Sequence, residues 1–461
     1  MYFPVGYKNE SHIIITMRDL KKILSLSADY IDIRRIRSEV QSLTAKDKVV
    51  ESLDSGVYSG IGIRVLLEGR WGFSVVNSEE KALDAANKAL KMARAAGSKG
   101  DAEKKEGLAP VEVIQKEVGG SVDFPSLEES VKLILSCEKE AELKSVKSTT
   151  TSLANSLLEK QFFSSEGSSV IQRHFRSFLS THAVAKRGGV LQEAYERSTS
   201  LEGLRHNPEI GREAGERAVR LLDGKSCPSG EMHVVMDPEL VAVFLHEAFG
   251  HMAEADAVLE GCSILNGRIG EKIASALITI IDDGTASGYG RLWYDDEGVA
   301  AKKNVLLENG ILKGFMHNRE TAGQLGSKPT GNARAQGYDS RPIIRMTNTY
   351  CLEGKSSFDE LVGDVKNGVY LKGSRGGQTN PARGVFQFAC QEGYLVKGGE
   401  IKGSIRNAGI SGNTLEVLNN ISLVGDDFKL GSPGHCGKKG QGMPVDGGGP
   451  HILTKTTVGG A

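Results

Sequence analysis

One stretch of sixteen residues, 237–252, constrains the fold and the chemistry of this chain more than any other. Asp237 suits a helix N-cap and Pro238 suits the first helical position, and the apolar run that follows predicts a buried helix. That helix continues into His246-Glu247-Ala248-Phe249-Gly250-His251. Two imidazoles and a carboxylate in a buried helix need hydrogen-bond partners or a cation, because their unpaired burial is costly. A divalent metal ion would satisfy all three groups at once.

The spacing of the two histidines predicts an irregular helix. His246 and His251 are five residues apart, which separates them by about 140° on a regular α-helix. The four-residue spacing of the H-E-x-x-H metalloprotease motif separates its histidines by only about 40°. Both histidines can face one ion if the helix is locally unwound, for instance by a π-bulge, and we expect Gly250 to absorb that distortion. In the alternative interpretation both are hydrogen-bonded core residues.

Two histidines leave a zinc site incomplete, because catalytic zinc usually has three protein ligands and one open position. The candidates for the third ligand are Glu254, Asp256, Cys262 and the glycine-flanked stretch 434–437 that contains Cys436. Spacing does not choose among them, although a thiolate in a glycine-lined loop suits two imidazoles best. Alternatively, Cys436 is a small buried hydrophobic residue. Ligating imidazoles also need a hydrogen-bonded carboxylate or carbonyl, for which Glu254, Asp256 and Asp282 are candidates.

The patterning of the chain predicts an α+β protein. Residues 30–42 alternate as a strand does, residues 54–56 have the composition of a turn, and residues 78–96 form an amphipathic helical pattern. We predict an N-terminal α/β domain over residues 17–225, with an antiparallel sheet and flanking helices. Short strands with glycine turns follow, which predicts a β-rich, incomplete-barrel-like domain over residues 226–461 that carries the histidine helix. Residues 1–16 are predicted to be a peripheral extension.

Charge, hydropathy and cysteine usage exclude several classes of protein. The 57 basic and 58 acidic residues nearly cancel, so we expect no direct contact with nucleic acid. No apolar run is long enough to span a membrane, and we expect no membrane association. The six cysteines are scattered without a C-x-x-C pair. This usage favours reduced thiols and a cytoplasmic location.

Three motifs carry a resemblance to a known family. They are His246 to His251, the stretch 342–349 that includes Arg345 and Asn348, and Cys436-Gly437-Lys438-Lys439-Gly440-Gln441; a weaker match is Ser59 to Arg64. On these residues the chain resembles the TldD/PmbA (TldE) family of metallopeptidases over nearly its whole length. The resemblance implies one zinc ion per chain bound by His246, His251 and Cys436, with Glu247 as the catalytic glutamate. The PmbA-type partner lacks the histidine motif, so this chain resembles the catalytic, TldD-type member.

The resemblance also implies an activity and its partners. We expect hydrolysis of unfolded or extended peptides through a zinc-activated water, with Glu247 as general base. An extended peptide can add to a strand edge, which the glycine-rich tail around Gly440 could present, or the glycines only form turns. Arg345 and Asn348 could bind the peptide or belong to structural pairs. We expect a homodimer or a heterodimer with a PmbA/TldE-type subunit.

Two other functions compete with this expectation. The first is a non-catalytic peptide-binding or regulatory subunit in which the zinc is structural. The second is a cysteine peptidase that uses Cys436 with His435, although adjacent side chains of an extended segment point to opposite faces. The intact Glu247 between the two histidines favours catalysis by a metal centre.

Overall fold

Long antiparallel strands build the N-terminal half of the protein. The computed structural model describes residues 17–96, 107–120 and 122–460, so the predicted extension 1–16 lies outside the described residues. The strands of this half are β1 Tyr30–Lys46, β2 Val49–Leu67, β3 Arg70–Val76, β4 Gln115–Val118, β5 Val146–Ser164, β6 Ser169–Arg187 and β7 Val190–Ser200. They form one sheet in the order β3-β2-β1-β5-β6, with β4 and β7 both paired to β6.

The turn chemistry of this sheet corrects one prediction. Asp47 and Lys48, both with positive φ, form the two-residue turn between β1 and β2, which is the geometry that such hairpins favour. The predicted turn at residues 54–56 is wrong, because Ser55 pairs with Gln41 and β2 continues without interruption through this segment. Cross-strand pairing over the whole length of β1 overrides the local preference of Asp-Ser-Gly for a turn.

Helices cover the sheet and connect it to the second half of the chain. They are α1 Met17–Leu24, a 3₁₀ turn Glu79–Lys81, α2 Ala82–Ala95, α3 Leu127–Glu140 and α4 Ile210–Leu221. Helix α2 buries Ala86, Ala89 and Leu90 in a cluster with residues of β1 and β2, and α3 begins with a capping box of Ser126 and Glu129. After α4 the strand β8 Lys225–Ser226 already pairs with the C-terminal sheet.

The C-terminal half is organised around two sheets. Its remaining strands are β9 Gly230–Met236, β10 Ile280–Asp283, β11 Lys303–Glu308, β12 Ile311–Leu312, β13 Ala333–Arg334, β14 Ile343–Ile344, β15 Asn348–Cys351, β16 Asn367–Asn380, β17 Val385–Lys397, β18 Glu400–Arg406, β19 Ala408–Asn413, β20 Leu423–Val424, β21 Lys429–Leu430, β22 Gly434–Lys438, β23 Gln441–Gly449 and β24 Ile452–Gly460. Its helices are α5 Pro238–Phe244, a π turn Leu245–Phe249, a 3₁₀ turn Gly250–Ala253, α6 Ala255–Leu259, α7 Arg319–Gln324, α8 Phe358–Gly363 and α9 Thr414–Asn419.

One of these sheets closes into a barrel. Its strands pair in the order β16-β9-β24-β19-β17, and β17 pairs back to β16. The second sheet has the order β12-β11-β10-β15-β23-β21, with β22 attached to β23. Helix α5 and the turns after it pack between β16 of the barrel and β15 and β23 of the second sheet. The predicted α+β class is confirmed, and the barrel that we expected to be incomplete contains a closed ring of five strands.

Buried ion pairs join the two halves of the protein. Asp296 forms an ion pair with Lys160 of β5 at 3.1 Å and lies 3.6 Å from Arg34 of β1. Its neighbour Glu297 pairs with Arg64 of β2 at 3.0 Å. Charges at this depth persist only when they are paired, so these contacts hold the N-terminal sheet in a defined position on the C-terminal half. No helix within the described parts of the chain is both long enough and apolar enough to cross a membrane.

Candidate metal centre

The histidine segment has the irregularity that its spacing predicts. Asp237 caps α5 by accepting the backbone N–H of Leu240 at 2.9 Å, and Pro238 occupies the first turn. The helix then widens into the π turn Leu245–Phe249 and tightens into the 3₁₀ turn Gly250–Ala253. This change of pitch brings the rings of His246 and His251 to a centroid separation of 5.3 Å with their planes at 86°. The predicted π distortion is confirmed.

Gly250 has a different role from the predicted one. Its φ of −57° and ψ of −47° are those of an ordinary right-handed helix, and the distorted residue is Phe249, with φ −112°. A Cβ at position 250 would collide with Sδ of Met346. The expectation that Gly250 absorbs the distortion is therefore wrong. Glycine fits there because the turn lies at very short range against the buried side chain of Met346, which belongs to the segment between β14 and β15.

Three donors converge at this turn. His246, His251 and Cys436 each offer one ligand atom, and these atoms lie within 4.8 Å of one another. Sγ of Cys436 is 3.4 Å from Nε2 of His251. Tetrahedral zinc, with a Zn–N bond of about 2.1 Å and a Zn–S bond of about 2.3 Å, implies an N···S separation of about 3.6 Å. Nε2 of His246 is buried and, among the described residues, has no hydrogen-bond partner. The donor set therefore fits a zinc ion.

The electrostatics of the cluster favour a metal-binding thiolate. Burial raises the pKa of the Cys436 thiol, but its contacts with His246 and His251 outweigh burial and lower that pKa to about 5. Burial lowers the pKa of His251, but Glu254 and Cys436 raise it well above its ordinary value. Without a metal the pair is an imidazolium and a thiolate. Metal binding therefore needs only the loss of the imidazolium proton at neutral pH.

A buried carboxylate orients the second histidine. Oε2 of Glu254 lies 3.0 Å from Nδ1 of His251, which leaves Nε2 facing Cys436. The same oxygen lies 3.0 Å from Nζ of Lys438, which also donates to both oxygens of Asp256. Of the candidate carboxylates, Glu254 contacts His251 directly. Asp256 is linked to His251 only through Lys438 and Glu254.

The other candidate ligands lie elsewhere. Asp282, which was a candidate carboxylate partner for a ligating imidazole, accepts from Thr347 and Thr349 instead. Cys262 is exposed and its thiol points at the carbonyl of Glu260. Among the residues considered for the third ligand, only Cys436 joins the two imidazoles in one cluster of ligand atoms, because Glu254 contacts the opposite ring nitrogen of His251.

Glu247 lies beside the donors rather than among them. Its carboxylate is 3.9 Å from Nε2 of His251, and its side chain is 35% exposed. The group lines a cleft of about 300 Å³ that also exposes His246 and Cys436. A carboxylate in this position can exchange a proton with a molecule in the cleft, which is the position that a general base requires.

Both halves of the protein form the walls of this cleft. Tyr195 and Arg197 come from β7, and Ser374 and Arg375 come from β16. The hydroxyl of Tyr195 donates to the carbonyl of Ser374, and Arg197 pairs with Glu239 of α5 at 2.8 Å. Sequence reasoning missed these residues because they belong to elements far from the histidine motif. The one indication in the sequence is that Tyr195 and Arg197 lie two residues apart in a strand, so their side chains share one face of the sheet.

The three predicted substrate contacts do not line the cleft. Arg345 is fully buried and donates to the carbonyls of Cys436 and Gln441, so it supports the hairpin β22–β23. Asn348 is also fully buried, and its side chain bonds the backbone of Gly290 and Asp283. Gly440, with φ +77°, forms the tip of the hairpin. Arg345 and Asn348 therefore have structural roles, because neither side chain is accessible to a peptide.

His435 does not form a nucleophilic pair with its neighbour. Its ring lies 5.4 Å from the rings of both Phe178 and Tyr289, and its Nε2 is 3.3 Å from the hydroxyl of Tyr289. Cys436 faces His246 and His251 on the other side of the strand. This alternation removes the geometric basis for a cysteine peptidase that uses His435.

Comparison with protein families matches almost the whole described chain. The PmbA/TldA metallopeptidase domain 1 matches residues 31–96, the central domain of the same family matches residues 121–222, and its C-terminal domain matches residues 229–460. The matches to domain 1 and the central domain fall on the N-terminal sheet and its helices. The C-terminal match contains all three donors and Glu247.

Individual relatives extend over nearly the full length of the chain. A protein named "Metalloprotease" from Methanothermobacter thermautotrophicus is 42% identical, over 93% of this chain and 95% of its own length. A protein named "Zinc metalloprotease TldD homolog" from Saccharolobus solfataricus is 35% identical, over 96% of this chain and 99% of its own. The crystal structure of TldE from Thermococcus kodakarensis has a TM-score of 0.78 at 23% identity, covering 96% of this chain and all of that one. This last likeness concerns the fold alone.

Proposed function

The chain belongs to the PmbA/TldD family of metallopeptidases, and on this premise we propose that it is a TldD-type, zinc-dependent peptidase that hydrolyses extended peptides. The observation that supports the proposal best is the convergence of His246, His251 and Cys436 beside the accessible carboxylate of Glu247. The names of the relatives support a metallopeptidase in general. The metal, the base and the substrate are our assignments.

His246, His251 and Cys436 would hold one zinc ion per chain. When bound, zinc supplies Lewis acidity on the side of the cluster that faces the cleft, where it polarises a carbonyl and lowers the pKa of water. Glu254 holds His251 in the tautomer that presents Nε2 to the metal. Lys438 ties Glu254 to the strand that carries Cys436, so the two sides of the site are positioned together.

Glu247 performs the proton transfers. Its carboxylate accepts a proton from the attacking water and later donates it to the amine of the leaving peptide. The partial exposure of this side chain to the cleft allows both transfers. Because the cleft holds about 300 Å³, it accommodates a short extended segment and excludes a folded domain.

A regulatory subunit with a structural zinc is the competing function. Structural zinc sites are usually closed by four protein ligands. Here three donors cluster among the described residues, and His246 and Cys436 both line an open cleft. This arrangement favours a catalytic site.

The proposal includes partners and a location. We propose that the chain acts as a homodimer or in a heterodimer with a PmbA/TldE-type subunit, on unfolded peptides. The absence of disulfides at all six cysteines is in keeping with the cytoplasmic location that we propose.

Substitution of Glu247 tests the proposed mechanism. Glu247→Gln should retain zinc and lower the turnover of an unstructured peptide by about 10²–10⁴-fold, because general base catalysis typically contributes this much. Zinc content is measured by metal analysis and by anomalous scattering at the zinc edge, and turnover is measured with and without a chelator. Full activity in Glu247→Gln would remove this residue from its role. A chain that binds zinc and peptide but shows no chelator-sensitive cleavage would be the regulatory subunit.

A further inference from the structure

A second cavity adjoins the metal cleft. It holds about 200 Å³ between the N-terminal sheet and the C-terminal half. His435, the residue before the metal ligand Cys436, lines both this cavity and the cleft. The two spaces therefore meet at His435. This neighbourhood lets one extended peptide reach from the candidate metal centre into the second cavity.

The charges around this cavity are unbalanced. Lys160, Arg176 and Arg334 line it and are respectively 6%, 9% and 3% exposed. Asp296 is the carboxylate among the lining residues. It is already engaged by Lys160 at 3.1 Å and lies 3.6 Å from Arg34 behind it. We call this space the arginine cavity, after Arg176 and Arg334.

Neither arginine has a carboxylate partner within the described parts of the chain. Arg176 donates to the carbonyls of Tyr289 at 3.2 Å and Arg291 at 2.7 Å. Arg334 donates to two carbonyls as well, including that of Pro444 at 2.7 Å. These bonds fix the guanidinium planes and leave further N–H donors on each group. The arginines are held in place without a direct carboxylate contact in the described parts of the chain, although Asp296, and for Arg334 also Asp282, act on their charges from a distance.

Buried cations without counterions are unusual, because desolvation strongly disfavours them. Burial lowers the pKa of Arg176, and burial with the neighbouring Arg176 and Arg345 lowers the pKa of Arg334 to about 9. Both therefore stay charged at neutral pH. Burial lowers the pKa of His174 in the same cavity well below its ordinary value, so that imidazole is neutral. An anion would complete the charge balance.

The rest of the wall of the arginine cavity is mixed. Ile36, Val40, Leu158 and Met443 form an apolar part of it, beside the polar residues Ser38, Ser156 and Gln336. Apolar side chains are poor surroundings for a hydrated inorganic ion. They suit a carboxylate that is attached to an organic group, which a pair of guanidinium forks binds with charge-assisted hydrogen bonds.

We propose that the arginine cavity binds a carboxylate of the peptide substrate while a neighbouring peptide bond lies at the metal centre. The carboxylate is either the C-terminus of the peptide or an acidic side chain near the cleaved bond. In the first case the protein removes residues from the C-terminal end, and in the second it cleaves internally beside acidic residues. The inference rests on the proposed peptidase function for the role of the bound peptide.

Binding to a variant that does not turn over tests the proposal separately from catalysis. The zinc-loaded Glu247→Gln protein is titrated by calorimetry with three unstructured octapeptides. They are a parent with a free C-terminus and one internal glutamate, its C-terminal amide, and its internal Glu-to-Gln analogue. Loss of the bound carboxylate should weaken binding by about tenfold or more, because it removes charge-assisted hydrogen bonds. Weakening by the amide identifies the C-terminus, and weakening by the glutamine analogue identifies the side chain.

A substitution in the arginine cavity tests whether Arg176 causes the preference for peptides that carry the carboxylate. In the same background Arg176→Gln should remove the difference between the peptides, and Arg176→Lys should retain part of it because the charge remains. Arg212→Gln, at an exposed arginine paired with Glu209, should leave the preference unchanged. Equal affinity for all three peptides in the Glu247→Gln protein overturns the proposal, even where Arg176→Gln fails to fold.

The two proposals fail in different ways. If the protein with Glu247 intact cleaves no peptide while the variant still discriminates carboxylates, the peptidase function is wrong and the anion site stands. If cleavage occurs with no difference in affinity among the three peptides, the arginine cavity is wrong and the peptidase stands.

Discussion

The two segments that meet at the proposed metal centre are held in place by different forces. The histidine segment runs through the core, where Leu245, Ala248 and Phe249 are fully buried. The hairpin β22–β23 that brings Cys436 extends from the second sheet, and its outer part, residues 434–445, is a two-stranded ribbon with an exposed turn. It is positioned by Arg345, which bonds its carbonyls, and by Lys438, which reaches Glu254 and Asp256.

This difference predicts which substitutions the histidine segment and the hairpin each tolerate. Packing positions a core helix through many weak contacts, so the loss of one remote ion pair does not displace it. A ribbon held by a few ion pairs and hydrogen bonds depends on each of them. We therefore expect the cysteine side of the centre to respond to remote charge substitutions and the histidine side to resist them.

Removal of a proposed zinc ligand should have the largest effect on zinc binding and turnover. The effect should be equally large for a ligand on the histidine segment and for one on the hairpin. His246→Ala and Cys436→Ser should both lose zinc and lower peptide turnover by more than about 10⁴-fold, because Lewis acidity is lost together with the function of Glu247. Zinc stoichiometry and turnover measure both effects. Cys262→Ser, at an exposed cysteine, is the control that should change neither. Full zinc occupancy in Cys436→Ser would show that the hairpin supplies no ligand.

Glu254 connects the two sides, so its substitution should have the next largest effect. Glu254→Gln should weaken zinc binding by about 10–100-fold, the usual consequence of losing the carboxylate that orients a ligating histidine. Asp256→Asn should weaken it less, because Asp256 reaches the site only through Lys438. Competition with a chelator of known affinity gives both values. A larger loss in Asp256→Asn than in Glu254→Gln would reverse the order of support that the structure shows.

Zinc binding should also strengthen with rising pH. The pKa of Cys436 is about 5 and that of His251 is raised, so between these values zinc displaces at least the proton of His251. The affinity should then rise about tenfold per pH unit, and more steeply below about pH 5, where the thiol is protonated too. The zinc affinity should stop rising once the pH exceeds the raised pKa of His251. Chelator competition across this range measures the slope, and a flat profile would contradict the imidazolium–thiolate pair.

The histidine side was largely predictable from sequence, because its signals are local. The N-cap Asp237 and the five-residue histidine spacing predicted the helix and its π turn, and both are present. The need for glycine at position 250 was not predictable, since it comes from a contact with Met346, in the segment between β14 and β15. Local spacing describes the path of a backbone but not what packs against it.

The cysteine side was not predictable from spacing, because its contacts join residues far apart in the chain. The residues alone left several candidates for the third ligand, and only the family resemblance singled out Cys436. Arg345 was expected either to bind the peptide or to belong to a structural pair, and sequence alone did not show that it is buried behind the hairpin. The cleft residue Arg197 belongs to the other half of the protein. Burial and contacts between domains depend on tertiary structure, which a single sequence does not display.

The smallest predicted effect separates two adjacent lysines of the hairpin. Nζ of Lys438, on a side chain that is 14% exposed, lies 3.0 Å from Glu254 and 2.7 Å from Asp256. Lys439 is 51% exposed and pairs with Glu260 at 2.8 Å. Lys438→Met should weaken zinc binding by less than about tenfold, because it acts through Glu254, and it should lower the free energy of unfolding by about 2 kcal/mol. Lys439→Met should change unfolding by no more than about 0.5 kcal/mol.

Denaturant titration and chelator competition on this pair test whether the hairpin depends on its buried cation. Both substitutions remove one positive charge from neighbouring positions of one turn, so a general electrostatic effect would change both variants alike. An effect confined to Lys438→Met would show that a specific ion pair positions Cys436. Equal responses would mean that packing and backbone pairing alone position the hairpin, and the two sides of the metal centre would then be held by the same forces.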